Sequence, residues 1–157
     1  MDHKYLNIYN NLIKLTRNKN LYLNLERNDE FSDRLLFLMF HFALFLKKFK
    51  SEINKKKSQE LFDFFVRQIE LSIREIGYGD VSVNKKMKDY VNLFFSILEN
   101  VEKWTSLNID QKKDVITNLI NIKENNNLIV NYFDKFSVFL SNNSLKIFTK
   151  DILELKF

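Results

Sequence analysis

Apolar residues recur at three- and four-residue steps along most of this chain, which is the spacing of one face of an α-helix. The pattern predicts about six helices, at residues 3–17, 29–49, 58–76, 84–104, 110–124 and 128–140. A loop is expected between the first two helices. At residues 145–157 the pattern leaves a last helix and an extended strap both open.

The second predicted helix is the most apolar segment of the chain. From Leu35 to Leu46 its only polar side chain is His41. This run is too short to span a bilayer, which takes about 20 apolar residues, so the pattern predicts a buried central helix. No second ligand stands at metal-binding spacing from His41, which favours a hydrogen-bonded core histidine over a metal or haem ligand.

Composition favours a single all-α domain. The chain has no Pro and only two Gly, whereas a β-rich fold of its 157 residues would need more turn residues of both kinds. Hydrophobic residues make up 45% of the chain, and 16 residues are Phe. We therefore expect one compact domain over residues 1–157 with a Phe-rich core. Some Phe side chains should remain exposed as a patch.

Composition also limits the classes of function. The absence of Cys excludes disulfides, thiol catalysis and cysteine-ligated zinc. The start of the chain, from Met1 to Tyr5, lacks the basic-then-apolar layout of a secretory signal, so a cytoplasmic location is expected. The net charge of +5 is well short of that of a dedicated nucleic-acid binder, and no DNA binding is predicted.

Six lysines lie close together between the second and third predicted helices, in a segment predicted to be a basic turn. Such a turn can contact anionic lipid head groups or ribosomal RNA, although a solvated turn explains the lysines equally well. A ribosome- or RNA-associated helical module is therefore one candidate function. The lysines are Lys47, Lys48, Lys50, Lys55, Lys56 and Lys57.

A row of charged residues of alternating sign follows one side of the third predicted helix. Asp63, Arg67, Glu70 and Arg74 fall at i, i+4, i+7 and i+11. The simpler interpretation is a solvated ladder of salt bridges. The alternative is a half-buried array of polar groups that frames a binding surface.

Both glycines of the chain lie in the turn after this helix. Gly77 fits the position that follows a helix end, where φ is positive. Gly79 suggests a second special backbone conformation or a close approach. A dinucleotide loop is disfavoured because the third Gly is missing and the turn follows a helix. We predict one connected polar network beneath this turn, formed by Asp63, Arg67, Arg74, Glu75, Asp80 and Lys85.

The segment from Leu61 to Lys88 resembles the signature of the ubiquinol–cytochrome c chaperone family. The resemblance rests on Leu61-Phe62-Asp63 with Phe65, and on Arg74-Glu75-Ile76-Gly77-Tyr78-Gly79-Asp80-Val81-Ser82-Val83-Asn84-Lys85-Lys86-Met87-Lys88. Arg17, Tyr22, Asp33-Arg34 and His41 also agree with the family pattern. Gln68 departs from it, because the family usually has an acidic residue there.

The resemblance implies an all-helical, non-enzymatic chaperone with no cofactor or metal. Its client would be newly made cytochrome b, guarded until haem and partner subunits join. The ribosome is a further partner that the family suggests, and the anionic surface of the inner membrane is one that the lysine-rich segment suggests. The partner-binding residues would be the signature set of Asp63, Arg67, Arg74, Glu75, Gly77, Gly79, Asp80, Lys85 and Lys88. An enzyme is the weakest hypothesis, since only isolated carboxylates support it.

Overall fold

The structure, a computed structural model, describes residues 3–22, 31–121 and 126–150. These residues form six α-helices and three short 3-10 helices, and they contain no strand. The α-helices are α1 (His3–Thr16), α2 (Phe31–Phe49), α3 (Lys55–Ile76), α4 (Asp80–Glu102), α5 (Ile109–Ile120) and α6 (Asn126–Asn142). The 3-10 helices are Lys19–Leu21, Trp104–Ser106 and Leu145–Thr149. The prediction of an all-α fold is confirmed.

Helix α2 runs through the middle of the core, and α1, α4 and α6 pack around it. Its apolar residues occupy nearly every face, so that Phe37, Phe40 and Phe45 are completely buried. The ring of Phe40 lies 5.5 Å from that of Trp104 and 4.3 Å from that of Phe133 on α6. The prediction of a buried central helix is confirmed.

The segment from Lys47 to Lys57 is not a basic turn, which corrects the prediction. Helix α2 continues to Phe49 and therefore includes Lys47 and Lys48. Helix α3 begins at Lys55 because Asn54 caps it: the Asn54 side chain accepts a hydrogen bond of 2.8 Å from the backbone N–H of Lys57. Only residues 50–54 connect the two helices.

Other boundaries also differ from the predictions. Helix α4 begins at Asp80, four residues earlier than expected, directly after the glycine turn. Helix α5 ends at Ile120, where Asn121 adopts a left-handed conformation with φ of 57°. The predicted start of the second helix at Asp29 and the predicted end of the fifth at Glu124 lie outside the described residues.

Residues 145–150 form a strap along α1. Phe148 is buried against Phe45 and Phe49, with ring centroids 5.2 and 6.0 Å apart. The Asn11 side chain, also buried, donates to the backbone carbonyls of Phe148 and Lys150 at 2.9 and 3.0 Å. The described part of the predicted tail is thus a short 3-10 turn held to the first helix, and residues 151–157 lie outside the description.

Helices α3 and α4 form an antiparallel hairpin whose two arms are joined by residues 77–79. Helix α4 packs mainly on α2, while α3 contacts α4 and α1. Within the described ranges, no helix combines the length and the apolar character needed to cross a membrane.

Candidate functional site

A groove lies between the arms of the α3–α4 hairpin, with α2 as its floor. It encloses about 360 Å³ of space, part of which is open solvent. Its lining consists of aliphatic and aromatic side chains. They are Leu38, Met39 and Phe42 from α2, Phe62, Phe65, Val66 and Ile69 from α3, and Met87, Tyr90, Val91 and Phe94 from α4.

Helical spacing places these side chains in the groove. The α4 residues Met87, Tyr90, Val91 and Phe94 recur at steps of three, four and seven, and therefore lie on one face. The floor is a stack of rings, because Phe42 lies between Phe65 at 3.6 Å and Phe94 at 5.3 Å.

One rim of the groove is an aromatic pair that remains partly in solvent. The rings of Phe62 and Phe95 stack with centroids 5.7 Å apart. Phe95 is 53% exposed, so a large apolar side chain remains at the surface here. The expectation that some Phe side chains would remain exposed as a patch is met only in part: among the described residues Phe95 is the one exposed Phe, and Phe62 beside it is half-buried.

The turn at the end of the hairpin has two glycines with different roles. Gly77 has φ of 108° and its N–H donates to the Arg74 carbonyl at 2.9 Å, which confirms the predicted helix end. Gly79 has φ of −74° and ψ of 164°, and a Cβ added there would meet nothing within 4 Å. The prediction of a special conformation or close approach at Gly79 is wrong, since ordinary extended backbone suffices.

The predicted polar network is smaller than expected. Arg74 donates to Asp80 at 2.5 Å and to Glu70 at 3.2 Å, and these bonds raise the pKa of the Arg74 guanidinium. Asp63 instead accepts from Gln59 at 2.9 Å. In the described parts of the chain, no hydrogen bond or ion pair links Arg67, Glu75 or Lys85 to Arg74.

Helix geometry explains this difference. Eleven residues separate Asp63 from Arg74, and at about 1.5 Å per residue the two lie roughly 16 Å apart along α3. The side chains of Asp63, Arg67, Arg74 and Asp80 are all exposed. The charged row is therefore solvated: within it Glu70 and Arg74 are bonded, and Arg74 also bonds Asp80 at the start of α4.

The end of the hairpin also carries exposed apolar side chains. Ile76 and Tyr78 are about half exposed, and Val81 is 85% exposed. The ammonium group of Lys86 lies 4.5 Å from the centre of the Tyr78 ring, an arrangement in which the cation is attracted to the ring face. Lys85 and Lys88 are exposed on the first turns of α4. We call Ile76, Tyr78 and Val81 the hairpin tip.

The six lysines do not form one free basic patch. The Lys47 ammonium donates to the Val101 carbonyl at 3.1 Å, and burial lowers its pKa. Lys50 pairs with Glu102 at 3.3 Å. Both therefore hold the C-terminal end of α4 against that of α2. Lys48 is half-buried, and only Lys55, Lys56 and Lys57 stand together, exposed in the first turn of α3.

His41 is a core residue, as predicted. Its Nδ1 lies 2.6 Å from the Phe37 carbonyl and its Nε2 lies 2.7 Å from the Tyr132 hydroxyl. Burial lowers the pKa of His41 to about 4, although the bond to Phe37 opposes this shift. The ring is therefore neutral: Nδ1–H donates to the carbonyl, and Nε2 accepts from Tyr132. Within the described ranges no group of three or more His, Asp or Glu could hold a metal ion.

Sequence reasoning did not identify the groove residues Met87 and Tyr90 or the rim residue Phe95. The spacing of the apolar residues on α4 could have indicated the groove face of this helix. That spacing did not separate the groove face from the core face, because Leu93 and Ile97 extend the apolar character of α4 to a second face, which packs on the core.

Comparison with known proteins gives one match. The family model described as "Ubiquinol-cytochrome C chaperone" matches residues 24–111, which is more than half of the chain and includes the whole signature from Leu61 to Lys88. Searches of the curated proteins and of the solved structures find no match. The resemblance inferred from the signature is confirmed, and the chain belongs to the ubiquinol–cytochrome c chaperone family.

Proposed function

We propose that this protein binds newly made cytochrome b and holds it during assembly of ubiquinol–cytochrome c reductase. Membership of the family gives the coarser role, that of a chaperone in the assembly of this respiratory complex. The identity of the client, and its binding in the α3–α4 groove, are our proposal. The observation that carries it is the groove itself, which is lined by aliphatic and aromatic side chains and bordered by the exposed ring of Phe95.

The apolar chemistry of the groove suits a helix of a membrane protein. Side chains of α3 and α4 border a floor on α2, and an apolar groove between helices is a common docking place for an amphipathic or apolar helix. Met39 and Met87 contribute flexible, polarisable side chains that can adapt to different apolar surfaces. Such a site can shield apolar client residues from water without any reaction at a polar group.

The hairpin tip is the second part of the proposed client surface. Gly79 and the tip residues Ile76, Tyr78 and Val81 are exposed, and the described core does not require them. They nevertheless lie within the signature segment by which the family is recognised. Contact with a partner is a function that explains both facts, with Asp80, Lys85 and Lys88 as its polar border.

Site-specific photo-crosslinking tests the proposal. A crosslinking amino acid is placed at Phe95 on the groove rim and, as a matched control, at Val138 on α6, which is 60% exposed. During synthesis of cytochrome b, the probe at Phe95 should form an adduct with it and the probe at Val138 should not. Equal capture from both positions, or none from Phe95, would contradict the proposal.

A deletion strain supplies an independent test. Loss of the gene should lower the level of cytochrome b and leave unrelated respiratory enzymes unchanged. A normal level of cytochrome b in that strain would exclude the proposed client.

The alternative is a ribosome- or RNA-associated module. Its support is the exposed group of Lys55, Lys56 and Lys57, since Lys47 and Lys50 are engaged within the chain. RNA binding through this group should weaken steeply with added salt, whereas binding in an apolar groove should not. Steeply salt-dependent binding to RNA or ribosomes, without a complex with cytochrome b, would favour the alternative.

A further inference from the structure

Both methionines of the chain other than Met1 line the α3–α4 groove. Met39 lies on the floor of the groove and Met87 lies on its α4 wall. The chain has no Cys, so these two thioethers are its only sulfur atoms beyond the first residue. The oxidisable sulfur of the described chain is therefore confined to the proposed client site.

The two methionines differ in how far solvent reaches them. Met39 is on the central helix and is only 3% exposed, whereas Met87 is half-buried on the wall. Peroxide must touch the sulfur atom to oxidise it, so the rate of oxidation follows exposure. Met87 is therefore the methionine that an oxidant in solution reaches first, and Met39 is an internal control in the same groove.

The lining of the groove makes its affinity sensitive to oxygen at this position. Oxidation to the sulfoxide converts a flexible apolar side chain into a polar one. Among the described lining residues the Tyr90 hydroxyl is the only side-chain hydrogen-bond donor. The sulfoxide oxygen would otherwise bond to water, and an apolar ligand that enters the groove would displace that water. The unpaired oxygen should weaken binding of such a ligand by about tenfold or more.

We propose that Met87 is a reversible oxidation site that switches the groove from an apolar to a polar surface and so releases its ligand. A lone pair of Met87 Sδ attacks one oxygen of hydrogen peroxide, and the O–O bond breaks. The hydroxide that leaves takes the proton from the sulfur-bound oxygen and becomes water, so sulfur is oxidised and peroxide is reduced. A methionine sulfoxide reductase with a thiol reductant restores the thioether and releases the oxygen as water.

As a regulation of the client site, this inference rests on the proposed function. The oxidation and its effect on the groove can nevertheless be measured without the client. The experiment therefore has one arm for the site of oxidation, one for the groove and one for cytochrome b.

Peptide mass spectrometry after brief hydrogen peroxide treatment of the folded whole chain tests the site. Met87 sulfoxide should form before Met39 sulfoxide, and prior denaturation should remove the difference, because burial of Met39 causes it. Met1 lies outside the described residues and is separated from both by its own peptide. Equal rates for Met87 and Met39 in the folded chain, or no sulfoxide at Met87, would overturn the proposal.

Binding of the neutral, apolar dye Nile red tests the switch. In wild type, peroxide should weaken dye binding by about tenfold, and methionine sulfoxide reductase should restore it. Met87→Leu keeps an apolar side chain of similar volume that cannot be oxidised, so its dye binding should survive peroxide. Met87→Gln places a polar side chain on the wall and should bind the dye weakly from the start. Thermal melts of both variants and of the oxidised chain should show that the fold is kept.

The remaining outcomes separate this proposal from the proposed function. Unchanged dye binding after oxidation, no dye binding by the untreated chain, unfolding on oxidation, or an equal peroxide effect in Met87→Leu would each overturn the switch. Capture of cytochrome b by the probe at Phe95 is scored separately. No capture by the untreated chain contradicts the proposed function, whereas capture that persists after complete oxidation of Met87 contradicts the switch alone.

Discussion

The aromatic cluster of Phe40, His41 and Phe133 and the α3–α4 groove are built from the same kinds of side chain, but these side chains lie in different environments. Phe133 is completely buried, with its ring 4.3 Å from Phe40 and 5.1 Å from His41. The pair of Phe62 and Phe95 has a comparable spacing of 5.7 Å, yet Phe95 is half exposed. The difference lies in the number of helices: α2 is enclosed by α1, α4 and α6, whereas no described helix covers the groove.

The polar groups of the two regions show the same contrast. His41 and Tyr132 are hydrogen-bonded to each other inside the core, and burial raises the pKa of Tyr132 while it lowers that of His41. Arg74 and Asp80 are bonded to each other at the surface. Polar residues in the core region are therefore structural, whereas those of the hairpin lie in solvent. The four predictions below test this division.

Truncation of a ring in each region should give the largest difference. Phe133→Ala leaves a cavity among Phe37, Phe40 and His41 and should lower the free energy of unfolding by about 3–5 kcal/mol. Phe95→Ala removes a ring that is already half solvated and should cost less than about 1 kcal/mol. Chemical denaturation measures both. Equal losses would show that the groove rim is part of the core.

Acid should destabilise the core through His41. The pKa of His41 is about 4 in the folded chain, against about 6.5 when unfolded. Between these values the unfolded chain takes up a proton that the folded chain does not, so stability falls as the pH is lowered. The loss approaches about 3 kcal/mol near pH 4. The difference in unfolding free energy between wild type and His41→Gln should therefore shrink from pH 7 to pH 4. A difference independent of pH would show that His41 is not held neutral.

Much of the core region could be predicted from sequence, because it depends on local rules. The apolar run from Leu35 to Leu46 implied burial on all faces, and the isolated His41 implied a hydrogen-bonded core residue. The groove could not be predicted in this way. Its lining comes from three helices, and periodicity on α4 does not distinguish a face covered by α2 from one left open.

The prediction of a six-residue polar network was wrong for a related reason. Residue spacing showed that Asp63 and Arg74 share one side of α3, but a shared side does not bring them within bonding distance. Apolar spacing and the two glycines located the turn between α3 and α4, whereas the rule of positive φ applied to Gly77 and not to Gly79.

The two glycines of the hairpin provide a matched pair for the next prediction. Gly77→Ala forces a side chain into the left-handed region at φ of 108° and should cost about 1–2 kcal/mol. Gly79→Ala occupies ordinary extended backbone with open space around the new Cβ, so its melting temperature should stay within about one degree of wild type. If cytochrome b is captured less efficiently by Gly79→Ala although its stability is unchanged, the turn is a contact surface. A destabilisation equal to that of Gly77→Ala would show instead that Gly79 is needed for folding.

The smallest effect on stability is expected for the ion pair at the turn. Arg74 and Asp80 bond each other in solvent, where salt and water screen the attraction and each side chain can be rehydrated when its partner is removed. Arg74→Ala and Asp80→Ala should therefore melt close to wild type, unlike variants of a buried pair, which would leave an unpaired charge in the core.

The effect of these two variants on client capture should be larger, because the pair borders the hairpin tip. Arg67→Ala, exposed on the same helix but without a bond to the turn, is the matched control and should change neither property. Strong destabilisation by Arg74→Ala would contradict the interpretation of a solvated ion pair. Unchanged client capture in both variants would remove the ion pair from the proposed surface and leave the groove as its remaining part.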